Sequence, residues 1–464
     1  MAGPPVPAGF GLVLDPSVRR PRPEVVVGGS PLRVLRLRPE GARLVDRWVG
    51  GEPIGSARGA QRLARRLLDA GVAHPRPPCG AGPPADAVTV VVPVRDQPAG
   101  LAITWSALGE TQARIIVDDG SVPPVAAAGA EIIRHSTSRG PAAARNTGWR
   151  AAGNTVVVFL DADCEPTPGW LAALLPHFAD PAVGAVAPRV RSRPGPDTSP
   201  RLAAYEGLRS ALDLGPREAP VRPGSWVPYI PTAALAVRRQ ALEEVDGFDE
   251  ALRYGEDVDL VWRLEKRGWR VRYEPAATVT HPARPDTATW LRQRYHYGRS
   301  AAPLAARHGR AVAPVAASRW SAAAWGLAAA GHPIAGAGLV AATSAALARR
   351  AGRDRATART LAGLALTGNL RAGGALAGAV RRAWLPPMAV VAGVAARSGR
   401  RAPLVALAAA VSVPLLWDWL ADHPPGLSPV AGSILELVDD LAYQTGVWAG
   451  MIEHRSAAAL LPAW

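Results

Sequence analysis

The sequence predicts an α/β core with a mainly parallel sheet, preceded by a small α+β domain and followed by an α-helical region. Three observations support this fold class: apolar runs of strand length alternate with helix-compatible stretches, a glycine hairpin with short helices comes before them, and an alanine-rich segment follows. Near-continuous apolar strands separated by helices are typical of parallel sheets covered on both faces. We place the domains at 8–76, 88–300 and 301–464, with a linker at 77–87.

Composition narrows the class of protein. A chain of 464 residues is long enough for more than one domain. The net charge is +15 and the pI about 11.0, but the arginines are spread along the chain and Lys266 is the single lysine. We therefore predict no nucleic-acid partner, and a basic surface that faces acidic lipid or phosphate stays open. Two cysteines, Cys79 and Cys164, make neither a disulfide framework nor a metal cluster, which indicates a reducing cytoplasm.

The N-terminal segment reads as a hairpin followed by helices. "EVVVGG" and "LRVLRLRPEG" are strand-like runs, and the turn between them is Gly28 to Ser30. "EGARLVDRWVGG" and residues 55–71 read as helices that end at glycine. This winged-helix-like pattern resembles the PqqD-like peptide-recognition domains of modified-peptide biosynthesis. The alternative is a plain α+β accessory domain. "HPRPPCGAGPPADA" then marks a domain boundary by its proline and glycine content.

Acidic residues follow two of the predicted core strands. In "ARIIVDDGS" the strand ends before Asp118, Asp119 and Gly120, where a carboxylate can accept a hydrogen bond from a nucleobase; an ordinary Asp-Gly turn is the alternative. In "VVFLDADCEP" the strand reaches Asp161 and Asp163, which point the same way because they are two residues apart. Two such charges repel unless a cation lies between them or one of them is protonated. This pair therefore predicts a hard divalent cation that bridges to a nucleotide diphosphate.

Two further residues are candidates for chemistry. In "GFDEALRYGEDVDLVWRLEKRG", Asp257 lies at the start of a helix whose apolar face carries Val258, Val261 and Leu264. The positive end of the helix dipole favours its carboxylate form, so Asp257 is either a helix cap or a general base. In "TVTHPA", His281 follows a strand-like run and is either a structural histidine or a metal ligand.

The order and spacing of these motifs resemble those of the family 2 glycosyltransferases with a GT-A fold. The shared stretches are "VVVPVRDQ", "VDDGS", "RGPAAARNTGWRAA", "FLDAD" and the segment around "GEDVDL", which together cover about residues 88–300. The resemblance implies that Asp119 contacts the uracil of a UDP-sugar and that Asp257 is the catalytic base. Nucleotide-sugar contacts are implied for Pro93, Arg95, Asp119, Arg145, Asn146 and Asp161. Divalent metal ligands, for Mg²⁺ or Mn²⁺, are implied at Asp161, Asp163 and His281.

The acceptor side departs from the processive members of that family. Their "QxxRW" motif is absent, and "WLRQRYHYGRS" stands near its place, with Gln293, Arg294 and Tyr295 where that motif would be expected. This departure argues against a synthase of long polymers. Glu256, Arg294 and Tyr295 are the candidates for acceptor contacts.

The C-terminal region is apolar and helical. Trp384 to Ala396 and Ala402 to Trp417 are runs of about 13 and 16 apolar residues, whereas a membrane span needs about 20. They suit interfacial or re-entrant helices, helices buried against one another, or spans. Basic residues flank them, at Arg349, Arg350, Arg397, Arg400 and Arg401. We predict peripheral association with the inner face of the plasma membrane.

The whole chain resembles the glycosyltransferase family of mycofactocin biosynthesis, which joins a PqqD-like region, a family 2 core and an alanine-rich region ending in a segment like "DDLAYQTGVWAGM". The resemblance implies an inverting transferase that moves glucose from UDP-glucose to premycofactocin, a peptide-derived redox cofactor. One alternative is a glycosyltransferase for a cell-envelope lipid or polysaccharide. Another is a non-catalytic peptide-binding scaffold, against which the retained acidic residues argue.

Overall fold

The computed structural model describes residues 3–108, 113–127, 129–195, 197–352, 354–422 and 426–464. The chain forms two compact units, Met1–Pro196 with Glu206–Ala283, and Asp197–Tyr205 with Arg284–Trp464. The first unit holds both the N-terminal segment and the central sheet. The units divide at 283/284, whereas the boundary predicted from the sequence is at 300.

The N-terminal segment builds a small α+β fold. Its elements are β1 (Gly11–Leu14), β2 (Arg19–Arg22), β3 (Val25–Gly28), β4 (Arg33–Arg36), α1 (Pro39–Val49), α2 (Arg58–Asp69) and β5 (Ala73–Arg76). β2, β3 and β4 form an antiparallel sheet, and β1 pairs with β5. The expected hairpin is β3–β4. β2 was not predicted, because "RRPR" has no apolar alternation and a proline fits only an edge strand.

The N-terminal segment is fixed to the sheet-bearing core by one buried and one half-buried ion pair. Arg65 on α2 reaches both carboxylate oxygens of Asp180 at 2.6 Å, and both side chains are 4% exposed. Asp69 at the end of α2 pairs with Arg270 at 2.7 Å. Gly82, inside the predicted linker, has φ +80° and lies against the Leu175 carbonyl. The segment between the two folds is therefore packed against the core instead of spanning open solvent.

The buried Arg65–Asp180 pair gives a stability prediction. Substitution of Arg65 by Met keeps the apolar stem but leaves the Asp180 carboxylate buried without its cation. Removing one partner of a buried pair destabilises a protein by about 3–5 kcal/mol. We expect a clear fall in the urea midpoint of Arg65→Met. Arg43→Met, which breaks an exposed pair with Glu40, should change the midpoint little. Equal midpoints for the two variants would contradict the docking role.

The core of the first unit is one sheet. Its strands are β6 (Val88–Val94), β7 (Ala113–Asp118), β8 (Glu131–Arg134), β9 (Val156–Leu160), β10 (Glu165–Pro166), β11 (Val183–Arg193), β12 (Ala219–Val221), β13 (Ala234–Arg238) and β14 (Arg270–Pro282). The order is β10-β14-β11-β13-β9-β6-β7-β8, and β12 pairs with β14. β9, β6, β7 and β8 are parallel, as are β11 and β14.

The expectation of a mainly parallel sheet needs a correction. β13 is antiparallel to both neighbours, β9 and β11, and β10 and β12 are antiparallel to β14. The sheet is therefore mixed. β10 and β12 contain two and three residues, too few to show a hydrophobic period. β13 is the alanine-rich run "ALAVR", which has weak strand propensity.

Helices cover the sheet and continue into the second unit. Those of the first unit are α3 (Pro98–Ala107), α4 (Pro141–Ala151), α5 (Trp170–Leu174), α7 (Arg239–Val245) and α8 (Glu256–Arg267), while most of α6 (Pro200–Arg209) belongs to the second unit. Those of the second unit are α9 (Thr287–Arg299), α10 (Ala301–His308), α11 (Arg319–Ala329), α12 (Pro333–Arg349), α13 (Arg355–Ala379), α14 (Leu385–Arg397), α15 (Ala402–Asp422) and α16 (Pro429–Glu453).

Close packing of α9 on α16 explains why the second unit begins before residue 300. A Cβ atom on Gly298 would collide with the Tyr443 carbonyl, and one on Gly446 would collide with the Tyr295 carbonyl. The missing side chains let the two backbones meet, which joins α9 to the C-terminal helices.

One helix of the second unit is longer than its apolar run suggested. α15 has 21 residues, a mean hydropathy of 1.8 over its apolar window, and 11% of that window buried. Within the described parts of the chain it is the one helix whose length and composition would allow it to cross a membrane. The apolar run predicted from the sequence ends at Trp417, whereas the helix continues to Asp422.

Candidate active site

Polar residues gather at the carboxyl ends of the parallel strands. β6 lies between β7 and β9 and is parallel to both, so Arg95, Asp119 and Asp161, which follow these three strands, lie at one edge of the sheet. Pro93 is a half-buried residue of β6 paired with Val117. Arg95 is exposed and donates from Nη1 to Ser138 Oγ at 2.9 Å.

The Asp119 carboxylate is fully engaged by the segment that leads into α4. Its oxygens lie 2.7 Å from His135 Nδ1 and accept from Ser138 Oγ at 2.7 Å and from the N–H groups of Arg139 and Gly140 at 2.8 Å. Burial alone would raise the pKa of Asp119, but these hydrogen bonds hold that pKa below its usual range. Asp119 thus orders this segment, and its contact with uracil stays a prediction.

Arg145 connects Asp161, at the sheet edge where the nucleotide sugar is predicted to bind, to the helix that carries the predicted base. Its guanidinium is buried and donates to Asp161 Oδ1 at 2.8 Å and to Glu256 Oε1 at 2.9 Å. The Phe248 ring lies 5.7 Å from the guanidinium carbon. The resemblance placed Arg145 beside the nucleotide, whereas the structure shows a bridge between two carboxylates. No sequence pattern pointed to this bridge, since Asp161 and Glu256 are far apart in the chain.

Asn146 has a comparable internal role. Its Nδ2 donates to the Phe248 carbonyl at 2.8 Å and to Glu250 Oε1 at 2.9 Å, while Oδ1 accepts from the Phe248 N–H at 2.9 Å and from Trp149 Nε1 at 3.0 Å. Asn146 is 1% exposed. These bonds hold the loop before α8, so a direct nucleotide contact stays a prediction that this geometry does not favour. Glu250, which also accepts from Arg139, was missed by sequence reasoning.

Asp163 and His281 form the part of the site suited to a cation. Asp163 Oδ1 lies 3.5 Å from His281 Nε2. His281 Nδ1 lies 2.8 Å from the Pro282 carbonyl oxygen, which can only accept, so Nδ1 carries the hydrogen. In the neutral ring, the Nε2 lone pair and the carboxylate oxygen then face each other without a proton between them. Nitrogen and oxygen ligands arranged in this way fit a divalent cation.

Asp161 does not join these two ligands. Its Oδ1 is bound by Arg145. Among the residues that the structure describes, no three His, Cys, Asp or Glu side chains come together as a metal-binding group. The structure therefore brings together two of the three predicted metal ligands.

Asp257 and Glu256 lie in the first turn of α8. Gly255 begins the helix with φ +79° and no side-chain cap, so Asp257 is not the N-cap residue. Its Oδ1 accepts from the Val258 N–H at 2.8 Å, and the Thr232 amide also bonds the carboxylate. Burial raises the pKa of both acids, and the neighbouring Asp257 charge raises the pKa of Glu256 further, against the opposing charge of Arg145. A carboxyl group with a raised pKa is suited to accept a proton.

The remaining acceptor-side candidates lie on α9 in the second unit. Arg294 is buried with its Nε 2.9 Å from Asp439 Oδ1. The Tyr295 ring lies edge to face with that of His296, with centroids 5.4 Å apart. Arg294 therefore stabilises the second unit, and an acceptor contact for either residue stays a prediction.

Comparison with known proteins identifies the family of this chain. The family model described as glycosyl transferase family 2 matches residues 89–246. A pre-mycofactocin glycosyltransferase of Mycobacterium tuberculosis is 41% identical over 478 residues, covering 98% of each chain. The chain belongs to the pre-mycofactocin glycosyltransferase family. The predicted family and the predicted GT-A-like fold class are thereby confirmed.

Solved structures of other transferases resemble this glycosyltransferase more distantly. One is a mannosyltransferase from Pyrobaculum calidifontis in complex with GDP-mannose and Mn²⁺, with 22% identity, a TM-score of 0.37, and coverage of 74% of this chain and 91% of that one. Another is GalNAc-T7 with UDP, GalNAc and Mn²⁺, with 16% identity, a TM-score of 0.33, and coverage of 42% and 43%.

Proposed function

We propose that the protein transfers glucose from UDP-glucose to pre-mycofactocin with inversion at the anomeric carbon. The observation that carries this proposal is the Arg145 bridge. The buried guanidinium binds Asp161, which follows β9, and Glu256, which precedes Asp257 on α8. Donor-binding and proton-accepting carboxylates are thereby held in one fixed arrangement. The full-length relative supports pre-mycofactocin as the acceptor.

The proposed reaction is a single in-line displacement. Asp257 accepts the proton of the acceptor hydroxyl while the oxygen of that hydroxyl forms a bond to the anomeric carbon. At the same time the bond from the anomeric carbon to the diphosphate oxygen breaks, and UDP departs. Arg145 balances the negative charge of the neighbouring carboxylates. Asp163 and His281 would hold a divalent cation, Mg²⁺ or Mn²⁺, which when bound supplies positive charge to the diphosphate. The raised pKa of Asp257 makes its carboxylate a stronger base than an exposed aspartate.

A turnover assay separates this proposal from its alternatives. Purified protein is incubated with UDP-glucose and pre-mycofactocin, and UDP release and product mass are both recorded. The proposal predicts UDP release with a mass gain of one hexose or more. A non-catalytic scaffold would release no UDP. A transferase for envelope lipids would leave pre-mycofactocin unchanged and would add hexose only when a lipid acceptor is supplied in its place.

We further propose that the second unit associates peripherally with an anionic membrane at the inner face of the plasma membrane. On α15, Val405, Val413 and Trp417 are 66%, 57% and 72% exposed and occur at spacings of eight and four, on one side of the helix. Arg400 and Arg401 lie just before α15. Exposed apolar side chains with basic flanks favour an interfacial position on acidic lipid.

This proposal predicts salt-dependent vesicle binding. The protein should sediment at low salt with vesicles that contain phosphatidylglycerol and be released at high salt. Salt screens the attraction between the flanking arginines and the acidic lipid headgroups. The double variant Val413→Asp/Trp417→Asp should bind more weakly, since charges replace the apolar contacts. Neutral phosphatidylcholine vesicles serve as the control. Wild-type protein that stays entirely in the supernatant at low salt would contradict the proposal.

A further inference from the structure

Asp163 lies in a tight turn between β9 and β10. The Cys164 N–H donates to the Asp161 carbonyl at 3.0 Å, which closes the turn. β10 begins two residues after Asp163 and pairs with β14, the strand that carries His281. The 3.5 Å separation between Asp163 Oδ1 and His281 Nε2 therefore depends on how this turn is held against the strands beside it.

Helix α3 is bonded to this turn through Thr104. Thr104 is fully buried, and its Oγ1 donates to the Cys164 carbonyl at 2.6 Å. A threonine inside a helix commonly bonds a carbonyl of the preceding turn of its own helix, whereas this hydroxyl bonds a carbonyl 60 residues away in the chain. The buried hydrogen bond therefore fixes the turn against α3 at the residue that follows Asp163.

Gly100 brings the first turn of α3 into direct contact with Asp163. It lies one helical turn before Thr104, on the same face of α3. A Cβ atom at Gly100 would lie 3.0 Å from the Ala162 carbonyl oxygen and 3.3 Å from Asp163 Cβ. These distances are shorter than ordinary van der Waals contact, so a side chain there would displace the turn by a few tenths of an ångström. Because alanine is the better helix former, the helix itself does not require a glycine here, whereas the close approach to Asp163 does.

We propose that Gly100 and Thr104 are positioning residues that set the distance between Asp163 and His281 for a divalent cation. The proposal rests on the proposed function and names the part of the fold that orients its metal ligands. Distances from a metal ion to its ligands vary by only about 0.2 Å, and Mg²⁺ requires near-ideal geometry. A displacement of a few tenths of an ångström at Asp163 therefore weakens the binding of the cation.

Titration of Mn²⁺ into the full-length protein with UDP bound tests the positioning role without turnover. The electron paramagnetic resonance signal of free Mn²⁺ reports how much metal is bound. Gly100→Ala and Thr104→Val should each weaken Mn²⁺ binding about 10- to 100-fold, the range for residues that orient metal ligands from outside. Thr104→Ser keeps the hydroxyl and should bind Mn²⁺ nearly as well as the wild type. Gly59→Ala is the matched control, since Gly59 also lies in the first turn of a helix, α2, and a Cβ atom there meets nothing within 4 Å.

Kinetics separate a positioning role from a general structural one. With UDP-glucose and pre-mycofactocin, Gly100→Ala should need more Mn²⁺ for half-maximal activity, and its kcat should return to the wild-type value when Mn²⁺ is saturating. The pH at which activity falls should not move, because Asp257 lies on α8. A kcat that stays low at every Mn²⁺ concentration would indicate general damage and contradict the proposal. Unfolding midpoints verify that each variant is folded.

The Mn²⁺ titration distinguishes failure of this proposal from failure of the proposed function. If the wild type binds Mn²⁺ and folded Gly100→Ala and Thr104→Val bind it equally well, the positioning role is wrong and the metal site stands. A wild type that binds no Mn²⁺, with UDP or without it, overturns the metal site as well, and is recognised without any variant. Failure of the proposed transfer shows in the turnover assay of the wild type and leaves the Mn²⁺ titration decisive for the positioning role.

Discussion

Substitution of Asp257 by Asn should reduce sugar transfer by about 10²–10⁴-fold, the range expected for loss of a general base. The amide keeps the size of the side chain and can accept from the Val258 N–H as Oδ1 does, but it cannot take up a proton. UDP binding should be nearly intact because the predicted metal ligands, Asp163 and His281, lie on other elements. The loss should therefore appear in kcat.

The pH profile gives the same test in the wild type. Because burial raises the pKa of Asp257 above its usual value, the carboxylate is protonated at a higher pH than an exposed aspartate. Activity should then fall as the pH drops through that raised pKa, and this acid limb should be absent from the residual activity of Asp257→Asn. The Arg145 charge and the Glu256 carboxyl face the same turn, so both help to set the pH at which activity falls.

A matched control keeps the result interpretable. Asp246, whose side chain is 92% exposed, lies on the preceding loop, and Asp246→Asn should retain full activity. A folded Asp257→Asn protein with near-normal turnover would refute the base assignment and direct attention to Glu256 or Asp259. Of these two, Asp259 is ion-paired to Arg263 at 2.6 Å, which makes Glu256 the stronger candidate.

Substitution of Asp163 by Ala should remove most of the affinity for the UDP-sugar. It takes away the carboxylate that faces His281 Nε2, and a cation at a diphosphate contributes several kcal/mol, which corresponds to roughly 100-fold or more in affinity. Chelation by EDTA should inactivate the wild type, and added Mg²⁺ or Mn²⁺ should restore it. Calorimetry of UDP binding measures both effects.

The control for this experiment is a nearby acid outside the predicted ligand set. Glu165 is two residues from Asp163, half exposed, and 3.8 Å from Arg193. Glu165→Gln also removes a negative charge and should bind UDP nearly as well as the wild type. Identical UDP binding with and without chelator would show that Asp163 and His281 do not act through a metal.

The parts of this protein that were predictable from sequence are those with local signals. β6 was read correctly as "VTVVVPV" because its apolar run is continuous and bounded by turns. The position of Asp119 and Asp161 at one sheet edge followed from their places after two such strands. The helix after Gly255 was predictable from its apolar spacing, and the structure begins α8 at Glu256.

Interactions between distant parts of the chain left no such signal. Arg65 and Asp180 are 115 residues apart, and Arg145 and Glu256 are 111 apart. A buried arginine looks like a surface arginine in a sequence, particularly in a chain with 53 basic residues. The engagement of Asp119 with residues 135–140 depended equally on tertiary structure, because the same Asp-Gly pair would also form an ordinary turn.

The most direct test of the central claim is the mass spectrum of the cofactor pool in cells that lack this protein. The account predicts that the deletion strain accumulates pre-mycofactocin without hexose, that the wild-type chain restores the hexosylated species, and that the Asp257→Asn chain, expressed to the same level, does not. An unchanged set of hexosylated species in the deletion strain would contradict the account.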